Sequence, residues 1–402
     1  MFKNILFLQG PSGNFFKVLS SYIDNKTNAH THHITFNGGD DWFSNQKNSY
    51  AYRDKPSVWQ SYLNDFIFTQ GITDIVVFGD CRFYHRIAKK VASEMNLLFW
   101  VFEEGYLRPT FITLEEGGVN GNSSLLRKNF NISEPSFLND PSVKSNRPYS
   151  AFWDMSFDTI QYYLFKQIYV KKYPHYIHHR PWHITEEFMK WIRSGYRKVG
   201  YLSQDRELVK RLTTELSKQF FLVPLQVSVD SQISHHSPYS SVKEFIHVVI
   251  RSFSQNASKG NYLVIKHHPM DRGFNNYAKY IKKLCYEYNT TGKVLYCHDV
   301  HLPTLLKEAK GTVTINSTVG ISSLHHATPT KVLGSAVYDL DGLTSQKSLD
   351  DFWQACCKPC KNSFNKFHHF LKFKSQISGS FYQQPELTLQ AVTNKFFNLN
   401  DS

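Results

Sequence analysis

The sequence predicts an α/β protein in which two doubly wound, Rossmann-like domains face one another across a cleft. The chain has 402 residues, of which 41% are hydrophobic, and this length and composition can supply more than one buried core. Apolar runs of strand length alternate with amphipathic stretches, as in a parallel sheet covered by helices on both faces. The pattern occurs twice, on either side of a segment rich in aromatic and basic residues.

The first series of apolar runs predicts a domain that spans residues 1–147. Its runs cover residues 5–8, 75–78 and 97–102. Each run ends in a polar or glycine-rich cluster, which is where open α/β sheets bind their ligands. The clusters after the first two runs supply four candidate binding residues, Gln9, Gly10, Asp80 and Arg82.

The second series predicts a domain that spans residues 219–347, followed by a mainly helical segment at 348–402. Its runs cover residues 221–225, 262–265, 294–296, 312–315 and 331–333. By analogy with two-domain transferases, we expect a helix of the C-terminal segment to return to the first domain.

Two loops of the second domain have the composition of a phosphate-binding pocket. They follow separate apolar runs and contain Lys266, His268, Pro269, Asn316, Ser317 and Thr318. Cationic side chains, hydroxyls and backbone N–H groups at the start of a helix are all suited to an anion. Simple helix capping by Ser or Thr is the alternative, but two such loops in one domain favour the pocket.

Carboxylates suited to catalysis occur in both domains. Asp230 lies in a loop of amides and hydroxyls that begins at Gln226, where it could be a nucleophile, a general base or only a helix cap. In the first domain, Glu103 and Glu104 precede Gly105 at a strand end, and a second glutamate pair follows at residues 115–116. Such pairs can position an acceptor hydroxyl and remove its proton. The alternative is a charged turn in which Arg108 pairs with a glutamate.

The middle segment, residues 148–218, interleaves aromatic and basic side chains. Helical spacing places seven of its residues on one face: Phe152, Met155, Thr159, Tyr162, Tyr163, Lys166 and Tyr169. Amphipathic rings and cations suit a membrane interface, so we expect peripheral contact with anionic lipid. A pair of linker helices packed on one of the domains is the alternative.

The formal net charge of +13 predicts an anionic partner, whether nucleic acid, an acidic membrane or a phosphorylated small molecule. The basic residues could also merely keep an aromatic-rich surface in solution. No helix-turn-helix, zinc-finger or RNA-binding signature is present, so we expect no nucleic acid partner. The chain opens without a signal-peptide pattern and has no apolar run of about 20 residues, which predicts a cytoplasmic protein.

We predict no metal site. The cysteine cluster at residues 356–360 lacks a second half that would complete a tetrahedral zinc site, and reduced thiols are the expectation. The Asp-x-Asp pattern at Asp339 and Asp341 adjoins Gly342 and is interpreted as a turn.

Seven motifs in this order resemble the capsule polysaccharide β-Kdo transferases of the KpsS type, a resemblance that covers nearly the whole chain. They are LQGP at residues 8–11, FNGGD at 36–40, FGDCR at 78–82, FEEGYLRP at 102–109, DSQI at 230–233, KHHPMDRG at 266–273 and TINST at 314–318. The middle segment matches mainly in its aromatic and basic character.

The resemblance implies a GT-B-like, retaining transferase of a Gram-negative bacterium. Such enzymes add the first Kdo from CMP-β-Kdo to a phosphatidylglycerol-type lipid at the inner membrane. A second Kdo transferase extends the linker, and the capsule export machinery follows. By position, Asp230 matches the proposed nucleophile, while His268, Ser317 and Thr318 match residues expected to hold the CMP phosphate without a metal cofactor. Glu103 falls in the acceptor-side acidic motif, together with Glu104 and Arg108.

Two other functions fit the same residues. One is a non-catalytic scaffold that docks on the membrane and recruits capsule assembly enzymes, in which case Asp230 and His268 would be replaceable. The other is a transferase for a different CMP-sugar, similar to sialyltransferases.

Overall fold

A computed structural model of the chain describes residues 2–126, 152–178, 184–383 and 386–397. The predicted domain boundary at residues 147/148 lies outside these ranges. The described residues form two compact units. Unit 1 contains described residues 2–126, 152–178, 370–383 and 386–397, and unit 2 contains residues 184–369.

Twelve strands occur in the described residues, and each is short, as expected of a doubly wound sheet. In chain order they are β1 (Asn4–Phe7), β2 (His30–Thr35), β3 (Ser49–Ala51), β4 (Asp74–Phe78), β5 (Leu98–Glu104), β6 (Phe111–Glu116), β7 (Phe220–Pro224), β8 (Tyr262–Lys266), β9 (Val294–Cys297), β10 (Gly311–Thr314), β11 (Thr330–Val332) and β12 (Gln376–Ser378).

The α-helices of the described residues alternate with these strands. They are α1 (Phe15–Lys26), α2 (Gly38–Trp42), α3 (Trp59–Gln70), α4 (Phe83–Glu94), α5 (Phe152–Ile168), α6 (Ile184–Thr213), α7 (Ser231–His236), α8 (Val242–Asn256), α9 (Ala278–Glu287), α10 (Leu302–Glu308), α11 (Val319–His325), α12 (Leu349–Phe352), α13 (Lys361–Ser375) and α14 (Glu386–Phe396).

The sheet of unit 1 has the strand order β12-β6-β5-β4-β1-β2-β3. The five strands from β5 to β3 are parallel, whereas β6 and β12 are antiparallel additions at one edge. Alternate residues of β1 enter two separate cores: Leu6 packs with Trp59 on one face, and Phe7 packs with Phe15 on the other. Because both faces are covered, the three residues of β1 after Asn4 form a continuous apolar run.

The sheet of unit 2 has the order β11-β10-β7-β8-β9 and is parallel throughout. Phe221 and Val223 enter a core with α8, and Phe220 and Leu222 enter a second core on the opposite face. In both units the first parallel strand lies at the centre, and the order reverses beside it, as in Rossmann-like folds. The predicted fold class, an α/β protein with two doubly wound units, is confirmed.

The middle segment is divided between the units, because α5 belongs to unit 1 and α6 to unit 2. The C-terminal residues also return to unit 1, where β12 pairs antiparallel with β6 and α14 joins the core beside α1.

One face of α5 packs against the first turn of α2. A Cβ atom on Gly39 would lie 2.6 Å from the ring of Tyr162 and 2.7 Å from its carbonyl oxygen, so only glycine permits this approach. Tyr162 is buried. At this residue the helix face that we assigned to a membrane instead packs against protein, and the side chain of Phe152 lies outside the described residues.

Candidate functional site

Each parallel sheet has one switch point, where helices leave two neighbouring strands in opposite directions and a crevice opens at the carboxyl ends. In unit 2 the switch point lies between β7 and β10, and in unit 1 it lies between β1 and β4. The loops after these strands carry Gln226 and Asn316 in unit 2, and Gln9 and Asp80 in unit 1. The topology therefore places predicted site residues at both crevices.

A hydrogen-bonded network joins the two loops at the switch point of unit 2. The buried side-chain amide of Gln226 donates to the Asn316 carbonyl oxygen at 3.0 Å and to the Asp230 carboxylate at 3.1 Å. Asn316 in turn donates to the backbone carbonyl of Gln232 at 3.0 Å. These bonds fix the position of the Asp230 carboxylate relative to both loops.

Asp230 is also the N-cap of α7, where its second carboxylate oxygen accepts from the amide of Gln232 at 2.9 Å. The side chain is only partly buried, so it can be reached from solvent. The helix-cap interpretation of Asp230 is therefore correct as a local description. It does not exclude chemistry, because the carboxylate stays available to a ligand in the crevice.

Lys266 ends β8 and His267 follows it, and both side chains are buried in the unit. The Lys266 ammonium is buried and lies 3.4 Å from the carbonyl oxygen of His298, and burial lowers the pKa of this lysine. His267 is bonded through Nδ1 to the Tyr296 hydroxyl at 2.7 Å, and burial lowers the pKa of its imidazole. Lys266 thus supplies positive charge beneath the loop, and its amine is held by backbone carbonyls.

His268 and Pro269 begin the loop after β8. His268 caps the short 3-10 helix Pro269–Asp271, where its Nδ1 accepts from the amide of Met270 at 3.2 Å. Its imidazole is partly exposed.

Ser317 and Thr318 lie between β10 and α11 and are also partly exposed. The Ser317 hydroxyl accepts from the amide of Val319 at 3.2 Å, whereas Thr318 begins the helix without a side-chain cap bond.

The switch point of unit 1 has a buried polar network of its own. Gln9 donates to Asp40 at 3.0 Å and to the Tyr176 hydroxyl at 2.9 Å. Asp40 also accepts from the hydroxyl of Tyr162 at 2.8 Å, and burial raises the pKa of its carboxyl. Gly10 lies against Phe16, since a Cβ atom there would be 2.8 Å from the ring.

Asp80 and Arg82 follow β4 in the same crevice. Asp80 is buried, accepts from the side-chain amide of Asn122 at 2.8 Å and pairs with Lys89 at 3.3 Å. The Arg82 guanidinium reaches the carbonyl of Gly10 at 3.4 Å, which connects the two loops of the switch point.

The acidic cluster at the carboxyl end of β5 is partly exposed. One carboxylate oxygen of Glu103 accepts from the amide of Glu104 at 3.0 Å, and the other accepts from the side chain of Asn120 at 3.4 Å. Arg108 is exposed and donates to the carbonyl of Gly105 at 3.3 Å.

Residues 73–382, more than half of the chain, match the model of a family described as capsule polysaccharide biosynthesis protein. The chain belongs to this capsule biosynthesis family. It is 41% identical to the capsule polysaccharide export protein KpsS of Escherichia coli, over 94% of this chain and 97% of the relative. These findings confirm the resemblance that the motifs indicated.

The chain is also similar to a second capsule protein and to a solved structure. The capsule biosynthesis protein is 40% identical to the capsule polysaccharide modification protein LipB of Neisseria meningitidis serogroup A, over 95% of this chain and 92% of the relative. Among solved structures, the β-Kdo 2,7 transferase KpsC of Thermosulfurimonas dismutans aligns over 99% of this chain and 100% of its own, with 12% identity and a TM-score of 0.44.

Sequence reasoning assigned no role to Asp271, which joins two loops of this capsule biosynthesis protein. Its fully buried carboxylate accepts from Ser228 at 2.9 Å, Asn275 at 3.1 Å and the Tyr277 hydroxyl at 3.2 Å. Ser228 lies in the loop of Asp230, and Asn275 in the loop that begins at His268. The KHHPMDRG motif contained the residue, but no local pattern marks its partners.

Residues of α6 bind the loop that begins at His268. Arg193 donates to the carbonyl of Gly273 at 2.6 Å, and Arg197 donates to that of Arg272 at 2.7 Å. The carboxylate of Asp205 accepts from the backbone amide of Asp299 at 2.7 Å. The middle segment of the capsule biosynthesis protein is thus structurally tied to the loops after β8 and β9.

The second glutamate pair of the sequence analysis has a buried member near Asp80. Glu115 is buried on β6 and accepts from the hydroxyl of Ser123, and burial raises its pKa to about 7. The charge of Asp80 is a smaller contribution in the same direction and is included in this pKa. The paired Glu116 is exposed, so the two neighbouring glutamates lie in different environments.

Proposed function

We propose that this capsule biosynthesis protein is a retaining glycosyltransferase. It would move Kdo from CMP-β-Kdo to a phosphatidylglycerol-type lipid and so begin the oligo-Kdo linker of a capsule. The observation that supports a transferase most directly is the network at the switch point of unit 2, where Gln226 holds the carboxylate of Asp230 beside Asn316. A positioned, partly exposed carboxylate in a crevice is suited to attack on an anomeric carbon.

The donor would bind in unit 2 through charge and hydrogen bonding. CMP-β-Kdo carries a phosphate and a carboxylate, and the chain has a net charge of +13. His268, Ser317 and Thr318 lie on two partly exposed loops with polar side chains, and Lys266 adds buried positive charge beneath one of them. These groups can neutralise one phosphate without a divalent ion, so we infer metal-independent binding.

Two successive inversions through a covalent intermediate are one way to retain the anomeric configuration. In the first, a carboxylate oxygen of Asp230 forms a bond to the anomeric carbon, and the bond to the phosphate oxygen breaks with its electron pair leaving on CMP. In the second, the lipid hydroxyl attacks the same carbon, its proton passes to a base, and the carboxylate of Asp230 is released. Glu103 is the candidate base. Its carboxylate is held by hydrogen bonds and is partly exposed.

The proposed product indicates where the reaction takes place and which proteins act after it. A phosphatidylglycerol-type acceptor lies in a bilayer, so we propose that the protein works as a peripheral protein on the inner membrane. A lipid with one Kdo needs a second transferase to extend it and the export machinery to move the finished polymer. These partners follow from the chemistry of the product.

The decisive experiment is incubation of the full chain with CMP-Kdo, generated in place because it is labile, and a short-chain phosphatidylglycerol. We expect mass spectrometry to show one added Kdo and the same yield in excess EDTA. CMP-sialic acid in place of CMP-Kdo is expected to give no product. Absence of lipid product with CMP-Kdo would exclude the proposed function, and activity restored only by Mg²⁺ or Mn²⁺ would exclude metal independence.

Replacement of Glu103 by glutamine tests the acceptor side. We expect Glu103→Gln to slow transfer to lipid by about 10²- to 10³-fold, the usual effect of losing a general base. Loading of the sugar onto the enzyme should continue, so intact-protein mass spectrometry should show a Kdo adduct that accumulates.

The matched control is Glu94→Gln, the same change at an exposed glutamate of unit 1. It is expected to leave the rate unchanged. If Glu103→Gln turns over as fast as this control, Glu103 is not the base.

A further inference from the structure

No helix in the described part of the chain has the length and apolar character required to cross a bilayer. The first half of α6 nevertheless presents an apolar surface to solvent. We define its outer face as six side chains that are between 38% and 82% exposed: Met189, Trp191, Ile192, Tyr196, Val199 and Leu202. A contiguous group of exposed apolar residues on one side of a helix indicates a contact surface, whereas apolar residues exposed singly are common on soluble proteins.

Helical geometry separates this outer face from the side of α6 that contacts unit 2. With about 100° of rotation per residue, Met189, Ile192, Tyr196 and Val199 project away from the side chains that contact the loops after β8 and β9, which are Ser194, Tyr201 and Asp205. Trp191 and Leu202 lie at the border between the two sides. Met189 to Leu202 span about 20 Å along the axis. Packing of the unit therefore leaves this whole strip uncovered.

The charges of α6 indicate what covers it. The helix carries seven lysines and arginines against four acidic residues, and Lys198, Arg206 and Lys210 are exposed. Packing against another protein surface does not require cations beside the apolar residues, whereas a bilayer of anionic lipid attracts them. Trp191 and Tyr196 have the amphipathic rings that favour the headgroup region.

We propose that the outer face of α6 lies in the surface of an anionic bilayer. The apolar side chains enter the boundary between headgroups and acyl chains, and the neighbouring cations contact lipid phosphates. Because Arg193 and Arg197 of the same helix hold the loop that begins at His268, docking brings that loop close to the lipid surface. The choice of an anionic lipid rests on the proposed function, but the surface itself follows from exposure and charge.

Co-sedimentation of the full chain with vesicles tests this surface without any donor substrate. We expect binding to vesicles of roughly three parts phosphatidylcholine to one part phosphatidylglycerol, and weaker binding as salt rises. The double variant Ile192→Ser with Val199→Ser is expected to reduce the partition coefficient by about tenfold or more, because both apolar side chains are over half exposed and available to lipid. Its CD spectrum should match that of the wild type.

The matched control is Phe68→Ser with Val248→Ser, which changes exposed apolar residues on α3 and α8. It should bind vesicles like the wild type. Equal binding by the α6 variant and this control would overturn the proposal, and so would a wild type that ignores the vesicles at low salt. A wild-type dimer that the α6 variant converts to a monomer would assign the face to a second copy of the chain and also overturn it. Since no sugar is transferred, these outcomes are independent of the transferase assay.

Discussion

Replacing Asp230 by asparagine is expected to leave a folded protein that no longer transfers Kdo. Under the proposed double displacement, the carboxylate must form a bond to the anomeric carbon and later leave it, and a neutral amide can do neither efficiently. We expect the rate of lipid product formation to fall by at least about 10³-fold, as for loss of a nucleophile in other covalent mechanisms. The covalent Kdo adduct should disappear with it.

The fold should tolerate Asp230→Asn because asparagine is as good an N-cap as aspartate. Its side-chain oxygen can still accept from the amide of Gln232, which now lies 2.9 Å from the carboxylate. The bond donated by Gln226 at 3.1 Å is the contact at risk, and its loss costs about 1 kcal/mol. A large loss of activity with an unchanged melting curve would therefore report chemistry.

Two companion variants complete the experiment. Asp339→Asn makes the same chemical change elsewhere in unit 2, where the carboxylate accepts from Thr344 at 2.6 Å, and it should transfer Kdo normally. Asp230→Ala guards against deamidation of the new Asn-Ser sequence back to aspartate. Near-normal turnover by Asp230→Ala would remove this residue from the mechanism.

The central strands of both sheets could be predicted because burial on both faces makes them continuously apolar. The run at residues 221–225 corresponds to β7 (Phe220–Pro224), and the run at 5–8 corresponds to β1 (Asn4–Phe7). In contrast, β2 contains three histidines and has no such signal. Its His33 is buried because its ring bonds to Ser20 at 2.9 Å and stacks on Phe7, which are contacts that no local pattern encodes.

Long-range pairing explains the other differences. Strand β12 has only three residues, and it forms because Ile377 aligns with Ile112 of β6. In the same way, Arg197 and Arg272 are 75 residues apart in sequence, so the contribution of α6 to the loop after β8 could not be predicted. The switch-point residues were predictable because strand ends and their polar loops are both local features, whereas the partners that hold them are not.

Lys266 shows the limit of prediction from strand ends. The sequence places it at the carboxyl end of β8, and the structure agrees. Its side chain, however, turns inward to the carbonyl of His298, because the neighbouring strand β9 ends at the same level. Position along the chain therefore predicted the loop, but not the direction of the amine.

The second large effect concerns stability. We expect Asp271→Ala to lower the free energy of unfolding of unit 2 by about 3 kcal/mol. The carboxylate is fully buried and is the acceptor for Ser228, Asn275 and Tyr277. Alanine would leave these donors without that acceptor, and the buried hydroxyl of Tyr277 would carry a desolvation cost that water cannot relieve.

Urea denaturation followed by CD, with a separate transition fitted for each unit, measures this change. Asp271→Asn keeps the size and one acceptor oxygen, so its transition should lie between those of the wild type and Asp271→Ala. The matched control is Asp341→Ala, which removes an exposed carboxylate from unit 2 and should change stability by less than about 0.5 kcal/mol. If Asp271→Ala unfolds at the same urea concentration as Asp341→Ala, Asp271 does not hold the loops together. If it unfolds at a lower urea concentration, the loop of Asp230 and the loop of His268 depend on one buried carboxylate. This dependence explains how two segments more than 40 residues apart can keep a common geometry for a donor.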